Sequence, residues 1–324
     1  MVRSSGGKMV RFGESSSLER TNSLKRQKQL KSHLAIPVEP VENFKVYVEL
    51  RRRYREEFNA VLYQQLMREF GSVHRFFLEC LHDFFSGHYA SILKEEARMY
   101  RYPDVEYFDH LKMLDLGCGP SAYASLSGSA FIRNIVMADF THANLIEINK
   151  WRNDMADAFD INFLAQVVAA LENKSNVRDG GYEIIRRTKD SVSKTCRCDV
   201  TAPYILQESQ NDARFDVVVS STCLEAACLD VPTYENAVWK IAHQMLKPGG
   251  FFVQCGLTGT TGYTIGQTTF DCLPLTDDMV TRALDHAGLR TISFRHLRNQ
   301  GHIYGDHFDS AFCIVAQRVM PIPT

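Results

Sequence analysis

The residues best placed to do chemistry form the run Met113-Leu114-Asp115-Leu116-Gly117-Cys118-Gly119-Pro120, an apolar strand ending in a glycine-rich turn. Glycines at such a turn remove Cβ atoms, so a ligand can lie against the backbone at the carboxyl edge of a sheet. The next apolar run ends near Asp139, twenty residues past Gly119. An acid at that point can accept both hydroxyls of a ribose. Taken alone, Gly117-x-Gly119-x-x-Ala122 also fits a nicotinamide dinucleotide fingerprint. Three features favour S-adenosylmethionine instead. Asp115 stands two residues before the first glycine, where it can order the turn around an amino-acid moiety. Pro120 stiffens the loop rather than offering an N–H to pyrophosphate. Cys198-Asp199-Val200 closes a third run, and a carboxylate there can take an adenine amino group. A single strand-end aspartate also serves as a helix cap or loop anchor; the set together points to a nucleoside.

These residues need a scaffold, and the spacing of apolar runs supplies one. Short runs at Lys112–Leu116, Asn134–Phe140, Thr195–Val200, Phe215–Ser221, Phe251–Leu257, Ile292–Leu297 and Phe312–Gln317 alternate with helix-like stretches near 142–158, 234–246 and 277–287. Strands alternating with helices imply a mostly parallel sheet covered on both faces. The last two runs are separated by loop sequence alone, so they read as a hairpin that adds an antiparallel strand. Residues 160–192 read as an insertion-like stretch broken by Asp179-Gly180-Gly181. From Val46 to Tyr100 the pattern is helical, with Phe58, Leu62, Leu66 and Phe70 at four-residue spacing. Arg51-Arg52-Arg53 reads as a solvated helix face.

Residues 1–44, rich in Ser, Gly, Lys and Arg, cannot bury enough apolar surface to offset their ordering entropy and read as a disordered basic tail. Residues 45–110 then read as an N-terminal helical cap and 111–324 as the nucleoside-binding domain. The 324 residues carry 45% hydrophobic and 23% charged side chains, an ordinary globular composition. A net charge of −1 gives no electrostatic reason to seek nucleic acid or an anionic membrane. No apolar run has the length of a membrane span, and none has the character of a secretory signal. Nine cysteines without paired, zinc-like spacing suit a reducing cytoplasm and no metal site.

The stretch from Phe215 to Gly250 narrows the reading. Ser221-Thr222-Cys223-Leu224-Glu225-Ala226-Ala227-Cys228, Pro232-Thr233-Tyr234 and Leu246-Lys247-Pro248-Gly249-Gly250 resemble the family of nicotinamide, phenylethanolamine, indolethylamine and thioether methyltransferases. Gly119-Pro120-Ser121-Ala122-Tyr123 and the segment from Asp139 through Asn144 to Trp151 carry the same resemblance, which covers about residues 110–320. It implies a class I methyltransferase: a Rossmann-like, doubly wound, seven-stranded mixed sheet with an N-terminal helical cap. It also implies that Gly117, Gly119 and Tyr123 line the methionine end of S-adenosylmethionine, that Asp139 and Asn144 hold the ribose, that Asp199 and Val200 flank the adenine, and that Ser221 touches the cofactor from the fourth strand.

By the same resemblance Glu225 faces the substrate and is the candidate anchor for an amine; a helix-capping acid at the surface is its bland counterpart. The family's tyrosine-bearing N-terminal motif has two placements here. Leu81-His82-Asp83-Phe84-Phe85 puts Phe85 at the cofactor, whereas Phe58 to Ser72 puts Met67 and Arg68 at the tyrosine pair. Glycines 256 and 259 stand where relatives carry substrate-facing acids, and acids return at Asp271, Asp306 and Asp309, beside His302 and His307. The expectation is a cytoplasmic, monomeric N-methyltransferase for a small-molecule amine. The alternative is a relative that binds cofactor or partner without turnover.

Overall fold

The computed structural model describes residues 44–68, 71–100, 110–206, 214–300 and 308–319. The basic tail, Asp306, His302 and His307 lie outside them. Seven strands form the main sheet: β1 (Lys112–Leu116), β2 (Asn134–Asp139), β3 (Val192–Arg197), β4 (Phe215–Ser221), β5 (Leu246–Thr258), β8 (Leu289–Arg298) and β9 (Ser310–Arg318). Their order is β3-β2-β1-β4-β5-β9-β8. The first five are parallel, and β9 runs antiparallel to both β5 and β8. This is the doubly wound, seven-stranded mixed sheet that the sequence implied, closing hairpin included.

Strand parity builds a core on each face. Met113, Val217, Val219, Val253 and Cys313 point into one, while Leu114, Leu116, Val218, Phe252 and Ile314 point into the other. Helix Val231–Lys240 covers the second face, started by Asp230, whose side chain accepts from Thr233 N at 2.7 Å, with proline in the first turn. Helix Asp277–His286, capped by Thr276, packs beside it. The first face takes Gly71–Asp83 and the helix pair Asn162–Leu171 and Val177–Ser191.

That pair corrects the reading of 160–192 as broken by glycines. Asn176 starts the second helix by accepting from Arg178 N and Asp179 N, and Gly180 and Gly181 lie inside it. A Cβ on Gly180 would come within 2.9 Å of Lys174 Cβ, and one on Gly181 within 2.5 Å of Asn162 Oδ1. The glycines permit close helix approach. A second difference is the small sheet formed by β6 (Gly262–Ile265) and β7 (Thr268–Asp271), which was not expected. The two-residue turn Gly266-Gln267, with Gly266 at φ +61°, makes it a tight hairpin.

At the amino end, α1 (Phe44–Glu57), α2 (Ala60–Met67) and α3 (Gly71–Asp83) precede β1. Asn59 caps α2 through Leu62 N, and the buried Gln64 amide donates to Pro120 O at 2.8 Å, tying α2 to the glycine turn. The described residues from Lys45 onward form one compact unit, helices and sheet together. No helix among the described residues is long and apolar enough to cross a membrane.

Candidate cofactor and substrate site

A large pocket opens at the carboxyl edge of β1, β2, β3 and β4, where the chain must turn from each strand into the next element. Gly117 and Gly119 sit at φ +72° and +63°, a region that side-chain-bearing residues avoid. Gly117 is constrained twice, since a Cβ there would lie 2.2 Å from Cys223 Sγ. Behind the turn, buried Asp115 accepts from the Ser125 hydroxyl at 2.7 Å. Desolvation pushes its carboxyl up to about 7.

Asp139, at the end of β2, organises the next wall. Its Oδ2 accepts from Gly119 N at 2.9 Å, and its Oδ1 from Thr141 N and the Asn144 amide, each at 2.9 Å. Burial raises this carboxyl's pKa while those donors pull it down. Asn144 is 1% exposed, and its Oδ1 has no partner. Asp199, two residues past the end of β3, uses Oδ1 to accept from Thr201 N, the Thr201 hydroxyl and Ala202 N. Its Oδ2 pairs with Arg51 of α1. From β4, Ser221 shares a hydrogen bond with the Tyr123 hydroxyl. Thr222 follows at φ +46°, a strained position for a β-branched residue.

Glu225 lies in the short helix after β4 and is 2% exposed. It is no surface capping acid. Its Oε1 accepts from Leu257 N at 3.1 Å, and its buried Oε2 has no partner. Desolvation raises it from 4.5 to about 7. A side chain at Gly256 would meet the Phe312 ring at 2.8 Å and Glu225 Oε1 at 3.0 Å, so this wall has no room for a second acid.

The pocket thus gathers Gly117, Gly119, Tyr123, Asp139, Asn144, Asp199, Val200, Ser221, Glu225 and Asp271. Asp271 is an exposed residue at the end of β7. Asp309 stands apart: its carboxylate abuts Gly259, where a Cβ would come within 2.3 Å of Oδ2. Phe85 also falls elsewhere. It is fully buried in the core, stacked on Phe131 at 6.2 Å and edge-on to Phe84 at 4.9 Å. The competing placement is the one at the site, for Phe58, Tyr63, Leu66 and Met67 line the pocket. Tyr54 and Tyr63 bring phenol hydroxyls from the amino-terminal helices, and the Tyr263 hydroxyl meets that of Tyr54 at 3.3 Å. Sequence reasoning missed Tyr54, Tyr263, Phe270 and Arg51. The Ile-Gly-Gln-Thr turn between two short Thr-rich runs was the legible sign of the hairpin. Nothing local distinguished Arg51 from its neighbours.

Sheet order and pocket define a doubly wound α/β domain that binds its ligand at the open strand edge. The chain belongs to the NNMT/PNMT/TEMT family, whose model matches residues 89–319. It is 35% identical over 176 residues to nicotinamide N-methyltransferase of Homo sapiens, a stretch covering 54% of this chain and 65% of that enzyme. It is 30% identical over 209 residues to the nicotinamide N-methyltransferase of Sus scrofa, covering 64% and 77%. Phenylethanolamine N-methyltransferase of Rattus norvegicus is 29% identical over 192 residues, covering 59% and 66%. The chain therefore spans about two thirds of the length of these curated relatives. Among solved structures, Burkholderia thailandensis 1,6-didemethyltoxoflavin-N1-methyltransferase matches with a TM-score of 0.42 at 13% identity, over 96% of this chain and 93% of that one.

Proposed function

We propose that this protein is an S-adenosylmethionine-dependent methyltransferase that methylates a small-molecule amine by in-line displacement. The observation that carries the reading is Glu225: a buried carboxylate with one free oxygen, in the same pocket as the glycine turn and the strand-end acids. The residues fit the cofactor. The two positive-φ glycines leave the backbone open, and the pocket is lined by Asp139 and Asn144, whose unpaired Oδ1 suits a ribose hydroxyl, and by Asp199 and Val200, which suit an adenine edge. When bound, the cofactor supplies an activated methyl group on a sulfonium.

The protein's own work is placement, holding the amine nitrogen about 3 Å from the methyl carbon with its lone pair aligned. Glu225 Oε2 accepts an N–H of the amine and can take the proton that the nitrogen must lose before it attacks. Tyr54, Phe58, Tyr63, Tyr263 and Phe270 give the pocket an aromatic wall that excludes water. A binding-only relative was motivated by missing motif tyrosines and by altered acid positions; Tyr54 and Tyr63 in the pocket weaken the first ground, and Gly256 leaves the second standing. All nine cysteines are free thiols, which supports a reducing compartment. We read the protein as a cytoplasmic monomer, a state that size-exclusion chromatography with light scattering tests. The decisive assay is radiolabelled methyl transfer across arylalkylamines, heteroaromatic amines, thioethers and phenols. Turnover of an amine with loss of rate in Glu225→Gln is expected. Cofactor binding without turnover of any amine would sink the enzymatic reading.

A further inference from the structure

One stripe of α1 is not explained by cofactor binding. Tyr47, Arg51 and Tyr54 follow at spacings of four and three residues, so they share a face, and Phe58 just past the helix end continues it through its N–H to Tyr54 O. Each meets the rim of the pocket at a different place. The Tyr47 hydroxyl donates to Ala227 O at 2.7 Å. Tyr54 and Phe58 pack on Phe270 of the β6–β7 hairpin, with ring centres 5.1 and 6.0 Å apart. Arg51 pairs with Asp199 and lies 5.2 Å over the Phe140 ring. Its two neighbours pair within the helix: exposed Arg52 with Glu49 and Glu56, and half-buried Arg53 with Glu57. Arg53 also borders the pocket, but of the three arginines only Arg51 pairs with a residue of another element across it.

The place it occupies matters. Asp199 is 7% exposed, and its Oδ1 is taken by Thr201 and Ala202, leaving Oδ2 for a partner from outside its own loop. Arg51 holds that oxygen. The same guanidinium covers Phe140, the residue following the ribose acid Asp139. The reading of the pocket assigns this space to the base of the nucleoside. We infer that Arg51 is the latch of a lid: in the free protein it fills the base subsite between Asp199 and Phe140, and the nucleoside must displace it to bind.

The inference rests on the cofactor assignment and has its own consequence. A ligand that requires the latch to be open binds with an affinity reduced by the fraction of molecules in which it is open. Removing the guanidinium therefore tightens binding. S-adenosylhomocysteine is expected to bind Arg51→Ala about fivefold more tightly than wild type, the scale of an ion pair whose guanidinium stays partly exposed. Arg52→Ala, whose partners are all on the helix surface, is expected to bind as wild type does. A second measurement needs no variant. Salt screens the latch, so wild-type affinity rises as sodium chloride is raised, whereas that of Arg51→Ala stays flat.

Isothermal titration of S-adenosylhomocysteine into the three proteins at low and high salt decides the matter, with thermal unfolding confirming that each is folded. Equal or weaker binding by Arg51→Ala, or wild-type affinity that falls with salt, overturns the latch while leaving the cofactor assignment standing. No binding by any of the three overturns the cofactor assignment, and the latch with it.

Discussion

Replacing Glu225 with glutamine is expected to change the pH dependence of stability in a calculable way. The carboxyl titrates at 4.5 when solvated and at about 7 in the fold, because burial disfavours the charge. Between those values the folded state holds a proton that the unfolded state has released. Glu225 therefore imposes no ionisation penalty below 4.5, and stability is progressively lost as pH rises towards 7. At about 1.4 kcal/mol per pH unit, the gap corresponds to about 3 kcal/mol, fully developed near pH 8, with roughly a quarter of it already present near pH 5. Glutamine keeps the acceptor for Leu257 N but cannot ionise. Its own packing and hydrogen-bonding cost is constant with pH. The stability of Glu225→Gln relative to wild type should therefore climb by about 2–3 kcal/mol between about pH 5 and pH 8. Asp115 titrates in the same window, and the difference between the two proteins removes its contribution. Chemical denaturation at closely spaced pH values measures this directly. A difference that stays flat across the window would mean that Glu225 ionises like a surface acid, and the buried anchor would be refuted.

Other substitutions probe the same architecture. Asp139→Ala strands Gly119 N, Thr141 N and the Asn144 amide, and is expected to weaken S-adenosylmethionine binding by about 1–3 kcal/mol by calorimetry; unchanged affinity would place the ribose elsewhere. Gly117→Ala combines a positive φ with a 2.2 Å approach to Cys223 Sγ. It should abolish detectable cofactor binding, with partial rescue only by Cys223→Gly, since the Cys223 Cβ itself would lie 2.6 Å away, and a single variant that binds normally would contradict the turn geometry. Gly181→Ala should lower stability by about 1–3 kcal/mol through overpacking against Asn162, although alanine is the better helix former. A rise in melting temperature would show the helix pair to be looser than described.

The sheet was legible from local sequence because its parallel strands are buried on both faces. Apolar runs such as Phe215–Ser221 and Phe251–Leu257 therefore stand out whatever surrounds them. Glycine turn and strand-end acids were legible for a related reason: their positions follow from where a strand must stop, and Gly117, Asp139 and Asp199 all fall there. Boundaries were harder. Strand β3 ends at Arg197 rather than Val200, because Asp199 and the residues after it turn back through backbone bonds from Asp199 N to Ile205 O and from Ala202 N to Asp199 O. Gly180 and Gly181 signalled a break, yet the neighbouring helix made their missing side chains an advantage within a helix.

Sequence alone thus fixed the α/β class, the strand order's closing hairpin and the acids on one sheet edge, because each depends on residues close together in the chain. Tertiary structure decided what covers that edge. Tyr54 and Phe270 meet across more than two hundred residues, Arg51 reaches Asp199 across 148, and Phe85 proved to be core. Side chains of similar type on similar helices point inward or outward according to what the rest of the chain places opposite them, and no local pattern carries that information.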